Sequence, residues 1–521
     1  MSKKTTAQIL TRDYCGVTLR QRKTSAYWER VSQWFAVIML TVFPFLMGTK
    51  GYFNITESRY MWFRVLTEAF LGVCLLILIG YLLLSKEQWR RRKAEGFQKP
   101  TVSQYLMMAY MLWASISSLA SPYRADTWLG QGRFEGLLTI FLYSLTFICL
   151  SFWAEYTNKY ICGLGIMTAV LSVISILQPL GFDPFTPEGY DFWTVRFFGT
   201  IGNVDCVSGV GAMVIPALFC GFLLLESKWR YLCLSGLVLY FYLQLYVDVA
   251  SGMVGLLVAF AILMPFLFTT PKRAFRAMTA FGTMLVTYAV EKALLITRYG
   301  IEFTFGKKAL LALVLGIAAI IGGILLGKKN VTFSLDEKKI RLIVALIVLA
   351  AILAGIVFVY AYRGDTLILQ EAHRILHGEF TDEMGSRRGE IWKLCIKFIG
   401  EMPLFGSGPD TLLSRARPYY ENGTVTQVYD FAHNDFLQVA VCLGLGGLAI
   451  YLAWIVSMAV RILKRAADNP LLLIFGGAMA GYLGHVFFSF SIALVTPLFW
   501  VMAGIADKLM RQMAQASDKE K

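Results

Sequence analysis

Apolar runs of roughly 18–22 residues recur along almost the whole chain, and each is long enough to cross a bilayer core of about 30 Å as a helix. No water reaches the backbone within that core, so only helices and closed β-barrels satisfy their own N–H and C=O groups. The alternating pattern of a barrel strand is absent from these runs. With 57% apolar residues and a mean hydropathy of +0.59, the sequence predicts an all-α polytopic membrane protein.

Basic residues cluster between the apolar runs and indicate how the chain crosses the membrane. The formal charge of +15 could suggest nucleic acid, but Lys and Arg of a membrane protein collect in its cytoplasmic loops. Placing every basic linker inside, the densest being 85–100, predicts about fourteen spans with both termini cytoplasmic. We expect membrane lipids, and no nucleic acid, as partners. The approximate spans are 31–48, 64–85, 103–121, 136–154, 161–180, 203–225, 231–249, 253–270, 278–295, 309–326, 342–361, 436–460, 471–490 and 491–507.

One outer connection, 362–435, is far longer than the others and precedes the third-from-last span. Loops of this length are usually functional or disordered. Apolar residues from Ile391 to Ile399 recur at spacings of three and four, which predicts an amphipathic helix and hence an ordered extracytoplasmic loop. The other predicted segments are a basic cytoplasmic N-terminus (1–30), a transmembrane bundle of about eleven spans (31–361), the last spans (436–507) and a cytoplasmic tail (508–521).

Several arginines on the predicted outer face are not explained by topology, because positive charge is disfavoured on the translocated side. A guanidinium is always charged, and its planar fork matches phosphate oxygens, so these side chains could bind a diphosphate-bearing lipid. Alternatively, each pairs with a nearby carboxylate such as Glu135, Asp191 or Glu390, or with lipid phosphate. The arginines are Arg133, Arg196, Arg387 and Arg388.

His433 is one of only four histidines and precedes a span directly. Its ordinary pKa lies near neutrality, so it can take a proton from a hydroxyl and release it later. A histidine that only caps the helix or bonds the loop is an equal alternative. His373 and His377 have a spacing that could bind metal, but no third ligand is evident, and a solvated helix face fits them better.

His433 also belongs to a recognisable pattern. With Asn434, and with Gly444 and Gly447 after gaps of nine and two residues, it is similar to the H-N-x9-G-x-x-G pattern of the O-antigen ligase and O-antigen polymerase superfamily of bacterial membrane glycan transferases. Three further stretches resemble the same superfamily: QGRFEGLLTIFLY with Arg133, RFFGTIGNVDCVSGV with Arg196, and GSRRGEIWKLCIKFIGEMPLFGSGPDTL with Arg388 and then Trp392. Relatives commonly have fewer spans, so an added helix pair is expected within 272–341.

The resemblance implies a metal-independent membrane glycosyltransferase without a cofactor, acting at the outer face of the bacterial inner membrane. Its donor would be a glycan on undecaprenyl diphosphate, and its acceptor a hydroxyl on another glycan, on lipid A core or on a protein. His433 would be the general base, while Arg196 and Arg388 would hold the diphosphate. Substrate-binding roles would fall to Arg133, Arg387, Asn434 and Asp435.

The same motifs leave the reaction open among an O-antigen ligase, a polysaccharide polymerase and a protein O-oligosaccharyltransferase. A carrier that flips lipid-linked glycans is an alternative from another class. Such a carrier would need charges midway through its spans. The charges found within spans here lie near the predicted outer ends instead.

Overall fold

A computed structural model describes residues 9–12, 18–21, 27–83, 99–186, 189–329, 331–421, 423 and 428–520. The basic linker 85–100, which is predicted to face the cytoplasm, lies outside these residues, apart from Lys99 and Pro100. Much of the predicted cytoplasmic N-terminus lies outside them as well.

The described residues are mostly helical, with two small antiparallel hairpins and four short 3-10 helices. The hairpins are β1 (Ile9–Arg12) with β2 (Thr18–Gln21), and β3 (Leu294–Thr297) with β4 (Gly300–Phe303). The 3-10 helices are Phe43–Phe45, Gly51–Asn54, Arg124–Asp126 and Gln178–Leu180. The α-helices are α1 (Tyr27–Thr41), α2 (Ile55–Leu82), α3 (Val102–Ala120), α4 (Leu137–Trp153), α5 (Lys159–Leu177), α6 (Phe192–Val195), α7 (Val204–Leu224), α8 (Arg230–Val247), α9 (Ala250–Leu267), α10 (Pro271–Ala293), α11 (Lys307–Gly327), α12 (Glu337–Tyr360), α13 (Leu367–Leu376), α14 (Met384–Glu401), α15 (Leu412–Glu421), α16 (Asp435–Arg465), α17 (Leu472–Val486) and α18 (Thr496–Glu520).

The helices agree with the predicted class of an all-α polytopic membrane protein. Each of the predicted spans coincides with a helix, although the exact number of spans stays a prediction. Among the described residues, eight helical segments are long and apolar enough to cross a membrane, and α4 and α17 are apolar but shorter. The eight segments are Gly51–Gly80, Lys159–Leu180, Val204–Leu224, Arg230–Val247, Ala250–Leu267, Lys307–Gly327, Glu337–Tyr360 and Asp435–Arg465.

Helix α7 forms the centre of the bundle, and every residue from Cys206 to Leu224 is buried. It packs against α5, α8, α9, α10 and α17. By contrast, α12 buries none of its residues, and its main contacts are with α9 and α13. The bundle is therefore densest around α7, and α12 lies at its edge.

Helices α10 and α11 form a closely packed pair within the segment 272–341. A Cβ atom on Gly282 would lie 2.7 Å from the carbonyl oxygen of Gly316, and one on Gly316 would lie 2.8 Å from that of Gly282. Small residues allow helix backbones to approach in this way in membranes. That the pair is an addition to the superfamily's bundle stays a prediction.

The long segment between α12 and α16 is ordered and contains α13, α14 and α15. The apolar face predicted from Ile391 to Ile399 packs inward, with Ile391, Cys395 and Phe398 fully buried. It forms a second, smaller core with residues from α15, from the loop before α16 and from α16 itself. Helix α14 is thereby fixed beside the start of α16.

Candidate active site

Helix α16 opens at Gly444, and the opened turn pairs with another part of the chain. Gly444 has φ +69° and ψ −179°, a backbone conformation that is essentially restricted to glycine. The segment 403–408, PLFGSG, runs beside 441–446 and forms backbone hydrogen bonds with it. These bonds are Ser407 N–H to Val441 O (3.0 Å), Gly408 N–H to Cys442 O (2.8 Å), Leu445 N–H to Pro403 O (2.7 Å) and Gly446 N–H to Leu404 O (3.4 Å).

Glycines make this close pairing possible. A Cβ atom on Gly444 would lie 2.1 Å from the carbonyl oxygen of Leu404, and one on Gly406 would lie 2.5 Å from that of Cys442. Gly446 packs on Trp113 of α3, where a Cβ atom would lie 2.0 Å from the ring. Two motifs that are far apart in the sequence therefore contact each other directly.

Asp410 connects a third motif, 130–136, to the paired segments 403–408 and 441–446. Its Oδ2 accepts the backbone N–H groups of Gly132, Arg133 and Glu135 at 3.2–3.4 Å. Burial raises the pKa of Asp410 to about 6, although these N–H donors oppose the shift. We call 130–136, 403–410 and 441–446, which are joined through main-chain groups, the backbone frame.

His433 lies at the start of α16, beside this frame. It has φ +49°, in the left-handed region that residues with a side chain rarely adopt. The Oδ1 atom of the next residue, Asn434, caps the helix by accepting the Leu437 N–H at 3.0 Å. The helix is therefore capped by Asn434 and not by His433, for which the sequence had left capping as an alternative role.

The half-buried His433 lies among charged side chains. Its pKa is lowered to about 4, first by burial and then by the positive charges of Arg388 and Arg133, while Asp430 opposes the shift. Its ring meets that of Phe490 edge to face, with the centroids 5.5 Å apart. At neutral pH the imidazole is therefore uncharged and able to accept a proton.

Arg133 pairs with a carboxylate, which was one of the two alternatives from the sequence. The partner is Asp430 and not Glu135. Its Nε and Nη2 atoms bind the two carboxylate oxygens of Asp430 at 2.9 and 3.2 Å. The guanidinium also lies over the ring of Phe490, 3.8 Å from its centroid. Glu135 instead accepts a hydrogen bond from the Tyr143 hydroxyl at 2.9 Å.

Arg387 and Arg388 are adjacent but have different surroundings. Gly385, Ser386 and Arg387 all have left-handed φ and ψ angles, so regular helix in α14 begins at Arg388. Arg387 pairs with Glu390 at 3.4 Å, which is the carboxylate alternative. The Nη1 atom of Arg388 donates to the Gly385 carbonyl at 3.1 Å. Its buried Nε has no hydrogen-bond partner among the described residues.

Arg388 lines a cavity of about 280 Å³ between α9, α13 and α14, which we call the arginine cavity. Its walls are mostly apolar. The hydroxyl of Ser251, also in the wall, is buried and has no hydrogen-bond partner within the described part of the chain. Other lining residues are Val249, Glu371, Trp392 and Phe488. The cavity suits a largely apolar ligand with an anionic group.

Arg196 has a different setting from the other candidate arginines. It is exposed, has φ +46°, and ends α6 with its N–H on the Phe192 carbonyl at 2.7 Å. The positive charges of Arg133 and Arg388 both act on His433, whereas Arg196 is not among the described residues that line the arginine cavity. The expected alternative partner, Asp191, binds Arg298 instead, at 2.8 Å.

Asp435 is buried and lines a second, smaller cavity of about 80 Å³. Glu135 and Asp410 line the same cavity, and the Tyr451 hydroxyl donates to Asp435 at 3.4 Å. Sequence reasoning missed Asp410 and Asp430. Their positions were the available signal: Asp410 directly follows GSGP, and Asp430 lies three residues before His433.

The histidine pair at 373 and 377 is stacked. The ring centroids lie 4.1 Å apart, and His377 also stacks on Tyr360 at 4.3 Å. Each Nδ1 atom lies within hydrogen-bond distance of a backbone carbonyl oxygen. In the described ranges, no group of three or more His, Cys, Asp or Glu side chains is arranged to hold a metal ion.

The family model described as O-antigen ligase matches residues 292–452. This match supports the resemblance of the chain to the O-antigen ligase superfamily. The matched O-antigen ligase segment, about a third of the chain, contains Arg388 and His433, whereas Arg133 and Arg196 lie before it. A search of curated proteins finds no match to the chain.

The match supports, in general terms, glycan transfer of the ligase or polymerase type by a membrane enzyme. The matched family implies lipid-linked glycan and acceptor substrates within a membrane.

Proposed function

We propose that the protein transfers a glycan from undecaprenyl diphosphate to an acceptor hydroxyl at the outer face of the bacterial inner membrane. The observation that carries the proposal is an uncharged, half-buried His433 under the influence of two arginines, one of which lines an apolar cavity. A base, a cation and a space for lipid are the three parts that this transfer needs.

His433 is the proposed general base. The acceptor oxygen attacks the anomeric carbon while its proton passes to the imidazole. The bond from that carbon to the phosphate oxygen breaks, and its electron pair stays on the lipid diphosphate. The imidazolium then loses its proton to water, which the low pKa favours.

Arg388 is the proposed diphosphate ligand. Its unpartnered Nε and the apolar walls beside it fit a phosphate joined to a polyprenyl chain. Negative charge grows on the diphosphate as the glycosidic bond breaks, so a fixed cation stabilises the transition state more than the ground state. Arg196 is proposed to contact the same group, with a smaller contribution because its side chain is exposed.

The remaining candidates are proposed to act indirectly. Arg133 and Arg387 are held by Asp430 and Glu390, so we assign them to the electrostatics and shape of the site. Asn434 caps α16 and orients His433. Asp435 lines the smaller cavity and, through its hydrogen bond from Tyr451, helps to fix the start of the helix.

The bound diphosphate would also prepare the base. Before the donor binds, His433 has a pKa of about 4 and is a weak base at neutral pH, because burial and the positive charges of Arg388 and Arg133 disfavour its charged form. The negative charge of the donor offsets those cations and raises the pKa of His433 when both substrates are present. We therefore propose that donor binding precedes activation of the acceptor.

The acceptor is a sugar hydroxyl on lipid A core, as in an O-antigen ligase, the end of another glycan chain, as in a polymerase, or a protein hydroxyl. Parallel assays with each acceptor class, using the same synthetic undecaprenyl-diphosphate glycan, would distinguish the three.

Purified protein in detergent, where no two compartments exist, tests the reaction itself. We expect a new glycosidic bond with wild-type protein and at least a 100-fold loss in His433→Ala and Arg388→Ala, as for loss of a base or of a transition-state contact. The matched controls His377→Ala and Arg417→Ala alter exposed residues of the same outer segment and should retain activity. Near-normal transfer by folded His433→Ala would rule out the proposed base, and a carrier would form no bond at all.

A further inference from the structure

The main chain of Ala432, the residue directly before His433, is held by two side chains. The indole Nε1 of Trp392 donates to the Ala432 carbonyl at 2.9 Å. The Ala432 N–H donates to Oε1 of Gln438 at 3.0 Å. Ala432 is fully buried and Gln438 is 6% exposed, so water does not compete freely for these groups. Both the N–H and the C=O group of Ala432 are thus fixed directly before His433.

This anchoring matters because the backbone of His433 is strained. Its φ of +49° is disfavoured for a residue with a Cβ atom, and strained conformations persist only where the surroundings determine them. On the other side, the Asn434 cap fixes the direction of α16. Without the anchors on Ala432, rotation of its peptide would relieve the strain and turn the imidazole away.

Trp392 also connects the histidine to the arginine cavity. It follows Arg388 by one turn of α14 and lines the same cavity. Its ring lies 6.2 Å from that of Phe380 and 6.2 Å from that of Phe488, so aromatic neighbours hold its orientation. One rigid helix therefore carries both the cation at the cavity and the hydrogen bond that anchors the histidine.

We infer that Trp392 and Gln438 are positioning residues, which fix His433 at a set distance and orientation from Arg388 so that the base faces the acceptor hydroxyl. The inference rests on the proposed function, because it assigns what the two residues do for that reaction. Neither residue reacts; each acts through the main chain of Ala432.

Trp392→Phe tests this assignment, since it keeps an aromatic ring and removes the N–H donor, and a tryptophan control undergoes the same loss of ring volume. We expect kcat to fall about 10- to 100-fold with little change in the donor KM, because a misplaced base affects the reaction more than binding. Trp62→Phe is the control: its Nε1 also donates to a main-chain carbonyl, that of Met47, at 3.3 Å, and neither residue belongs to the backbone frame. This variant loses a similar bond and should keep its kcat within about threefold.

The pH profile separates positioning from a purely structural role. If the loop relaxes, His433 becomes more exposed and its pKa moves from about 4 towards the ordinary value of 6.5. The acidic limb of kcat/KM should shift upward in Trp392→Phe and stay in place in Trp62→Phe. A general loss of stability would lower the amount of active protein without moving this limb.

Gln438→Met provides a second, independent perturbation, as it removes the acceptor for the Ala432 N–H at similar volume. It should reproduce both the fall in kcat and the shift of the acidic limb. Equal kcat values and unshifted limbs for Trp392→Phe and Trp62→Phe would overturn the inference while leaving an active wild-type enzyme. Absence of transfer by wild-type protein would instead count against the proposed function.

Discussion

Replacing Gly444 with alanine should both destabilise the protein and impair transfer. The pairing of 441–446 with 403–408 depends on this residue, whose φ and ψ angles an L-amino acid with a Cβ atom adopts only with strain. The added Cβ atom would also lie 2.1 Å from the Leu404 carbonyl oxygen, a main-chain atom that cannot rotate away. Relief requires either a straighter α16 or displacement of 403–408.

The two costs set the expected magnitude. A strained backbone residue costs about 1–3 kcal/mol, and a side chain forced into a packed site costs about a further 1–3 kcal/mol. Gly444→Ala should thus lower the free energy of unfolding by about 2–6 kcal/mol, out of the roughly 5–15 kcal/mol typical of folded proteins. Any relaxation displaces Asp410 and, through it, the loop of Arg133, so transfer should fall at least tenfold in protein that remains folded.

Thermal unfolding in detergent, followed by transfer assays well below the transition, measures both effects. Gly355→Ala is the matched control, because a Cβ atom there meets nothing within 4 Å and Gly355 lies within helix α12. Alanine is favoured over glycine in helices by about 0.5–1 kcal/mol, so the control should be neutral or slightly stabilised. A Gly444→Ala protein that melts and reacts like Gly355→Ala would refute the role given to the opened turn.

Further predictions concern charge. The kcat/KM of transfer should rise with pH through about 4 as His433 loses its proton and then level off, whereas the limb in kcat should lie at higher pH because the bound diphosphate raises the pKa. An acidic limb near 6.5 in kcat/KM would contradict the burial argument. Asp410→Ala should cost about 3 kcal/mol or more, because three backbone N–H groups lose their acceptor. The raised pKa of Asp410 means that its contribution to stability falls as pH rises from about 4 to about 6. Asp410→Asn should remove that fall. Melting curves of wild-type, Asp410→Ala and Asp410→Asn proteins across this pH range would show whether either prediction fails. Asp430→Asn should move the His433 limb to lower pH, since Asp430 raises that pKa, and an upward shift would contradict the assignment.

The helical class could be read from the sequence because apolar runs of membrane length permit few alternatives. The predicted spans coincide with helices, and the face of α14 is buried as its spacing indicated. These features are local, so a single segment carries the whole signal. The resemblance to the O-antigen ligase superfamily was likewise visible in contiguous motifs, and the family match confirms it.

The pairing of side chains could not be predicted, because it joins residues that are far apart in the chain. Arg133 and Asp430 are 297 positions apart, and Glu135 was the nearer and more obvious partner. Spacing between glycines gave no indication that one motif pairs with another through main-chain atoms. The left-handed backbone of His433 was equally invisible, since histidine has no general preference for that conformation over others.

The backbone frame has a consequence for redesign. Its hydrogen bonds run between main-chain groups, with Asp410 as the chief side-chain contributor, so they do not depend on which side chains surround the site. Exposed residues of α15 could therefore be exchanged while the glycines and Asp410 are retained. A library that randomises those exposed residues and holds 130–136, 403–410 and 441–446 constant should contain many folded members.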